Sequence, residues 1–120
     1  MLKLAKILVM LVRLAGVVAI ILGIAVWSGR GLTMLNAHIG LGFLVAMCLL
    51  LLGIVALTRG LFALGILGLI FALLLPAVGF LQFPLKFGTH LGGPQIAHVV
   101  IVLASLGIAE ALGGRIRRSA

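Results

Sequence analysis

Apolar residues run along this chain with few interruptions, and the breaks between runs fall at Gly, Pro and cationic positions. The four runs, Ile7 to Trp27, Met34 to Leu57, Leu61 to Leu81 and Gln95 to Leu112, are each close to the roughly 20 residues that one bilayer crossing needs. The pattern predicts an all-α fold with helices over about 4–27, 34–57, 61–82 and 94–113, forming a single four-helix transmembrane domain over 1–120. The connections are short, so sequential helices are expected to lie side by side in an up-down-up-down bundle whose first and fourth helices also touch.

Composition agrees with this picture. The chain is 65% hydrophobic and 8% charged, whereas a soluble domain is about a quarter charged. The net charge of +8 comes from nine Lys and Arg against the single Glu110. These cations stand singly at the ends of apolar runs, where they act as topology signals and headgroup contacts, and they form none of the continuous basic surface that nucleic acid requires. Lys3, Lys6, Arg59, Arg115, Arg117 and Arg118 fall on one side of the bundle, and Arg30 and Lys86 on the other. Both termini are therefore expected to be cytoplasmic, in a multi-pass protein of a bacterial or archaeal plasma membrane. Trp27, Phe80, Phe83 and Phe87 are then at the outer interface, where amphipathic rings settle. Lys3 and Lys6 before an apolar stretch, with Gly23-Ile24-Ala25 after it, imitate a secretory signal, but the segment is expected to be retained as the first span. Cys48 is alone, so the chain has no intramolecular disulfide, CxxC redox pair or cysteine-based zinc site.

Two charges lie within the spans. Arg13 is ~21 Å along the first helix from Trp27, and Glu110 is ~22 Å along the fourth from Gln95. Their matched depths allow an ion pair, which lowers the cost of both charges. Separate snorkelling of each to the headgroups is the alternative. Small residues recur at helical spacing: Ala15, Ala19 and Gly23, then Gly42, Ala46 and Gly53, then Gly65, Gly68, Ala72, Pro76 and Gly79. Such stripes either let backbones approach or leave a flat slot for a planar ligand.

The remaining polar residues gather at one end. Arg30, Thr33, Asn36, His38, Gln82, Lys86, Thr89, His90, Gln95 and His98 map to the outer helix ends and outer loops, leaving Ser105 and Thr58 among the few in the inner half. A polar cluster inside a membrane protein is a functional-site hypothesis by default. His38 and His98 lie at similar depths on the second and fourth helices, which face each other across a four-helix core. That is the disposition of the two axial ligands of a bis-histidine b-type haem, one haem per chain. Gly42, one turn from His38, and Gly40 leave room for a porphyrin plane. Arg30 and Lys86 are placed to pair with propionates, and Asn36 and Gln95 to orient the imidazoles. Structural histidines at the headgroup level are the competing reading, and His90 in the outer loop is a further candidate for metal, proton or substrate contact. A zinc or copper site built on His38, His90 and His98 ranks below haem, because no carboxylate or thiolate lies at that end. Nucleophilic catalysis lacks an acid near any Ser and His pair, since Glu110 is at the opposite end.

The two histidines are half a chain length apart in similar wording, Asn36-Ala37-His38-Ile39 and Ile96-Ala97-His98-Val99, as in a duplicated helical hairpin. With Ser28-Gly29-Arg30-Gly31-Leu32-Thr33-Met34 before the second helix, the chain resembles one half of haem A synthase. The four-helix halves of that family carry a histidine on the second and fourth helices near the outer face. Met34 and Leu35 stand where that family is expected to have a Glu, so its methyl oxidation is not expected here. Cytochrome b561-like bundles are also similar, but a two-haem member needs four ligands and this chain has three histidines. The leading expectation is a haem b protein moving electrons between a quinol in the bilayer and a partner protein, or holding haem for one. Any enzymatic role would be that of an oxidoreductase. A small four-span transporter or channel, working as a homodimer, and an assembly subunit without cofactor are the alternatives.

Overall fold

A bilayer offers no water to backbone N–H and C=O groups, so an apolar run that crosses it must satisfy them internally as a helix. The computed structural model describes residues 2–29, 32–82 and 93–119. They form α1 (Leu2–Trp27), α2 (Leu35–Thr58), α3 (Phe62–Leu81) and α4 (Gly93–Arg118), with one short 3-10 turn at Leu32–Met34 before α2. No strand occurs among the described residues. All four helices are long and apolar enough to cross a membrane, as in a multi-pass integral membrane protein, and the long axis of the chain measures 47 Å.

The helix limits follow from local chemistry. Between α2 and α3 the chain reverses in three residues, with Gly60 at φ +76°. The Leu61 N–H donates to the Ala56 carbonyl at 2.9 Å and the Gly60 N–H to that of Leu57 at 3.0 Å. This is a Schellman ending, with glycine at the left-handed position. At the other end of the chain, α4 does not stop near residue 113 as the apolar run predicts; it continues to Arg118. Gly113 and Gly114 fail to break it because the following turn is anchored: Ile116 is fully buried and Gly113 lies against the Val9 side chain of α1. Arg115, Arg117 and Arg118 in the last turn also favour the negative end of the helix dipole.

In cross-section the bundle is a rhombus. Neighbours in sequence pack together, α1 also meets α4, and α2 touches α4 across the centre, while α1 and α3 make no contact among the described residues. The core of Val12, Leu49, Leu52, Leu112 and Ile116 lies toward the end that holds the α2–α3 turn. Small residues let the backbones close there. A Cβ placed on Gly65 would lie 2.9 Å from the Gly53 carbonyl oxygen, and one on Gly68 would lie 2.9 Å from Leu112 and 3.3 Å from the Gly53 Cα. The Arg59 guanidinium reaches the Ser119 carbonyl at 3.5 Å, joining the α2–α3 turn to the end of α4.

Arg13 and Glu110 are paired. The Arg13 guanidinium grips both carboxylate oxygens of Glu110, through Nε and through NH2, the latter at 2.8 Å. Their side chains are 62% and 43% exposed, so the pair sits on the outer surface of the α1–α4 seam and not in the core. The two-pronged geometry is the strong form of this interaction, and it chooses pairing over separate snorkelling.

A histidine cleft between the four helices

His38 is part of the first turns of α2, and its orientation is set from α1. Its Nδ1 lies 2.7 Å from the Ala19 carbonyl oxygen, a contact in which Nδ1–H donates and Nε2 is left as the free nitrogen. The approach is close because α1 carries small residues at this level. A Cβ on Gly23 would come within 2.9 Å of the His38 Cε1, so a larger residue there would displace the ring. His98, on α4, is set beside α3 in the same way. A Cβ on Gly79 would lie 3.4 Å from its Cε1.

Across the short diagonal of the rhombus the two imidazoles meet, with ring centroids 6.2 Å apart and planes inclined by 72°. His98 Nδ1 is buried and has no hydrogen-bond partner among the described residues, an arrangement that costs about 1–3 kcal/mol unless something satisfies the nitrogen. Around the pair is a cavity of about 740 Å³ to which all four helices contribute, inside the range of cofactor and ligand sites. Its walls are largely apolar. Gly16, Ala19, Gly23 and Trp27 line it from α1, Gly42 and Phe43 from α2, Leu75, Pro76, Gly79 and Phe80 from α3, and Gln95, Val102 and Leu106 from α4. The Phe43 and Phe80 rings meet on the α2–α3 side, with centroids 5.8 Å apart and planes tilted by 49°.

The structure therefore brings His38, His98, Gly42 and Gln95 to one cavity. Gly42 stands beside open space, with nothing within 4 Å of a Cβ built on it. Asn36 is exposed, and the group that orients His38 is the Ala19 carbonyl. Arg30, Lys86 and His90 lie outside the described residues. The sequence pattern missed the roles of Ala19, Gly23 and Gly79. Their smallness was visible, but which neighbour each one faces depends on helix rotation, which no local signal encodes.

The donor set is two imidazoles. No group of three or more His, Cys, Asp or Glu able to hold a metal ion occurs among the described residues; His90, the third histidine of the zinc or copper alternative, lies outside them. A haem iron asks the protein for axial ligands alone, since the macrocycle supplies the other four. Two imidazoles bound to one metal through facing nitrogens at about 2 Å each have their ring centres about 6 Å apart, and rotation of each ring about that axis is free. The separation and the apolar walls with glycine gaps fit such a group, while the His98 Nδ1, unpartnered among the described residues, lies on the ring edge beside Gly79.

No protein-family model matches the chain, and neither a curated protein nor a solved structure does.

Proposed function

We propose that this protein is a one-haem, b-type membrane cytochrome in which His38 and His98 would hold the haem iron. The observation that carries the reading is the 6.2 Å separation of the two rings within a cavity large enough for a cofactor. Bound there, haem supplies one-electron chemistry. The residues of the chain hold and tune it. The Ala19 carbonyl accepts from His38 Nδ1 and raises the basicity of that imidazole, as partners of ligating histidines do. Gly23 and Gly79 let the rings sit close to α1 and α3. Leu75, Val102 and Leu106 keep water from the inner side of the cavity. Gln95 and Gly42 border the same space, and Arg30 and Lys86 are the cations assigned to propionates.

In this reading the bundle is up-down-up-down with both termini cytoplasmic. Support comes from the basic residues Lys3, Lys6, Arg59, Arg115, Arg117 and Arg118, of which Arg59 is joined to the end of α4 through Ser119. The histidine cavity then lies toward the outer side, in a position to pass electrons between a quinol in the bilayer and an external partner protein. A plasma-membrane location of bacterial or archaeal type accompanies the proposal.

The test is optical. Protein purified in mild detergent after haem-supplemented expression should show a sharp α-band on dithionite reduction, and the band should disappear in both His38→Ala and His98→Ala. A folded, colourless parent protein overturns the cytochrome reading and leaves transport or assembly as the function to pursue.

A further inference from the structure

The α1–α4 seam changes character along its length. From the end holding Arg118 it is closed in steps: Gly113 against Val9, then the Arg13–Glu110 pair, then Gly16 against Leu106, where a Cβ on Gly16 would meet Leu106 Cδ2 at 2.6 Å. One turn further, Ile20 and Ile24 of α1 and Leu103 and Val99 of α4 all line the cavity. Ile24, Val99 and Leu103 are also 59%, 51% and 58% exposed. On the α2–α3 side the cavity-lining Phe43 and Phe80 are 49% and 46% exposed, but their rings meet each other there. Ile24, Val99 and Leu103 belong to the cavity wall and to the outer surface at once and mark an opening, which faces the hydrocarbon side of the bundle. Its rim is aliphatic, in contrast to the α2–α3 side, which Phe43 and Phe80 bridge.

We infer that the cavity is loaded from within the bilayer, through a lateral window between α1 and α4 bounded by Ile20, Ile24, Val99 and Leu103, with the Gly16–Leu106 contact as its sill. The ligand admitted is a planar, lipid-dissolved ring system, which on the cytochrome reading is haem itself; the identity of the ligand rests on that reading. A mostly apolar macrocycle partitions into hydrocarbon, and an aliphatic rim passes it without desolvating any protein charge. The Arg13–Glu110 pair below the sill is already satisfied and offers no competing site.

A reporter thiol tests the route without haem. In a Cys48→Ala background, Gly42→Cys places one thiol on the cavity wall, where nothing lies within 4 Å of a Cβ. In vesicles, pyrene maleimide dissolved in the lipid should label it readily, and a sulfonated, membrane-impermeant maleimide added to the water should label it slowly. Leu103→Trp should slow the lipid-borne reaction by about tenfold, equal to about 1.4 kcal/mol in barrier. Leu73→Trp, on an exposed α3 position away from the cavity, should leave the rate unchanged. Equal labelling of the parent and Leu103→Trp, or faster labelling by the sulfonated reagent, overturns the window. A second arm follows haem uptake by apoprotein from haem-loaded vesicles, which Leu103→Trp should slow and Leu73→Trp should not. If the parent takes up no haem, the cytochrome reading fails and the thiol reaction still decides the route.

Discussion

The end of the bundle that holds Arg59 and Arg118 and the end that holds the two histidines are built from the same materials, glycine and alanine at helical spacing among branched aliphatics, with opposite results. At the arginine end the small residues of the helix interfaces are met by neighbours: Gly53 by the Gly65 backbone, Gly68 by Leu112, Gly113 by Val9. At the histidine end, Gly23 and Gly79 face imidazoles and Gly42 faces open space. The smallness of a residue in a membrane helix is therefore permission for close approach, and whether a helix or a ligand uses it depends on what stands opposite.

The sharpest way to break the contrast is to put the same side chain in both halves. Gly65→Leu should prevent close α2–α3 packing, because its Cβ alone would stand 2.9 Å from a backbone oxygen. We expect a loss at or beyond the upper end of the ~1–3 kcal/mol usual for overpacking, seen as loss of monodisperse protein in detergent. Gly42→Leu should leave the midpoint of thermal unfolding nearly unchanged and abolish ligand binding by filling the cavity.

A second test concerns the lock at the base of the open seam. Glu110→Gln leaves Arg13 without its carboxylate and should lower the thermal midpoint, while Arg13→Gln with Glu110→Gln should recover part of the loss, since no unpaired cation remains. A midpoint for Glu110→Gln equal to that of the parent would show that the exposed pair adds nothing. Gly23→Ala should have a smaller effect on stability than either, because its Cβ meets only the edge of the His38 ring, yet on the cytochrome proposal it should broaden or shift the reduced α-band by turning that imidazole from the Ala19 carbonyl. The smallest effect belongs to Ser105→Ala. The Ser105 Oγ is buried without a partner among the described residues, so its removal should be neutral or stabilising by up to about 1 kcal/mol in reversible unfolding.

Much of the architecture was legible from the order of residues because membrane helices are specified locally. An apolar run of bilayer length has one way to satisfy its backbone, so α1, α2 and α3 begin and end within about two residues of the helix bounds of 4–27, 34–57 and 61–82 expected from the runs. The exception is the end of α4. Its Gly113-Gly114 reads as a stop, and the buried Ile116 and the contact with Val9 override it. The depth of the histidines was legible in the same way, since depth is a count along a helix at ~1.5 Å per residue.

Rotation about the helix axes was not legible. Ala19 presents its carbonyl to His38, Gly79 faces His98, and α2 meets α4 while α1 and α3 stay apart. Each of these depends on side-chain packing between helices distant in sequence, and an apolar helix with lipid on one face and aliphatic neighbours on another has little amphipathic signal to announce its rotation. Arg13 and Glu110 illustrate the division. Their equal depth is written in the chain, whereas their meeting required α1 and α4 to turn toward each other, which only the packed bundle decides.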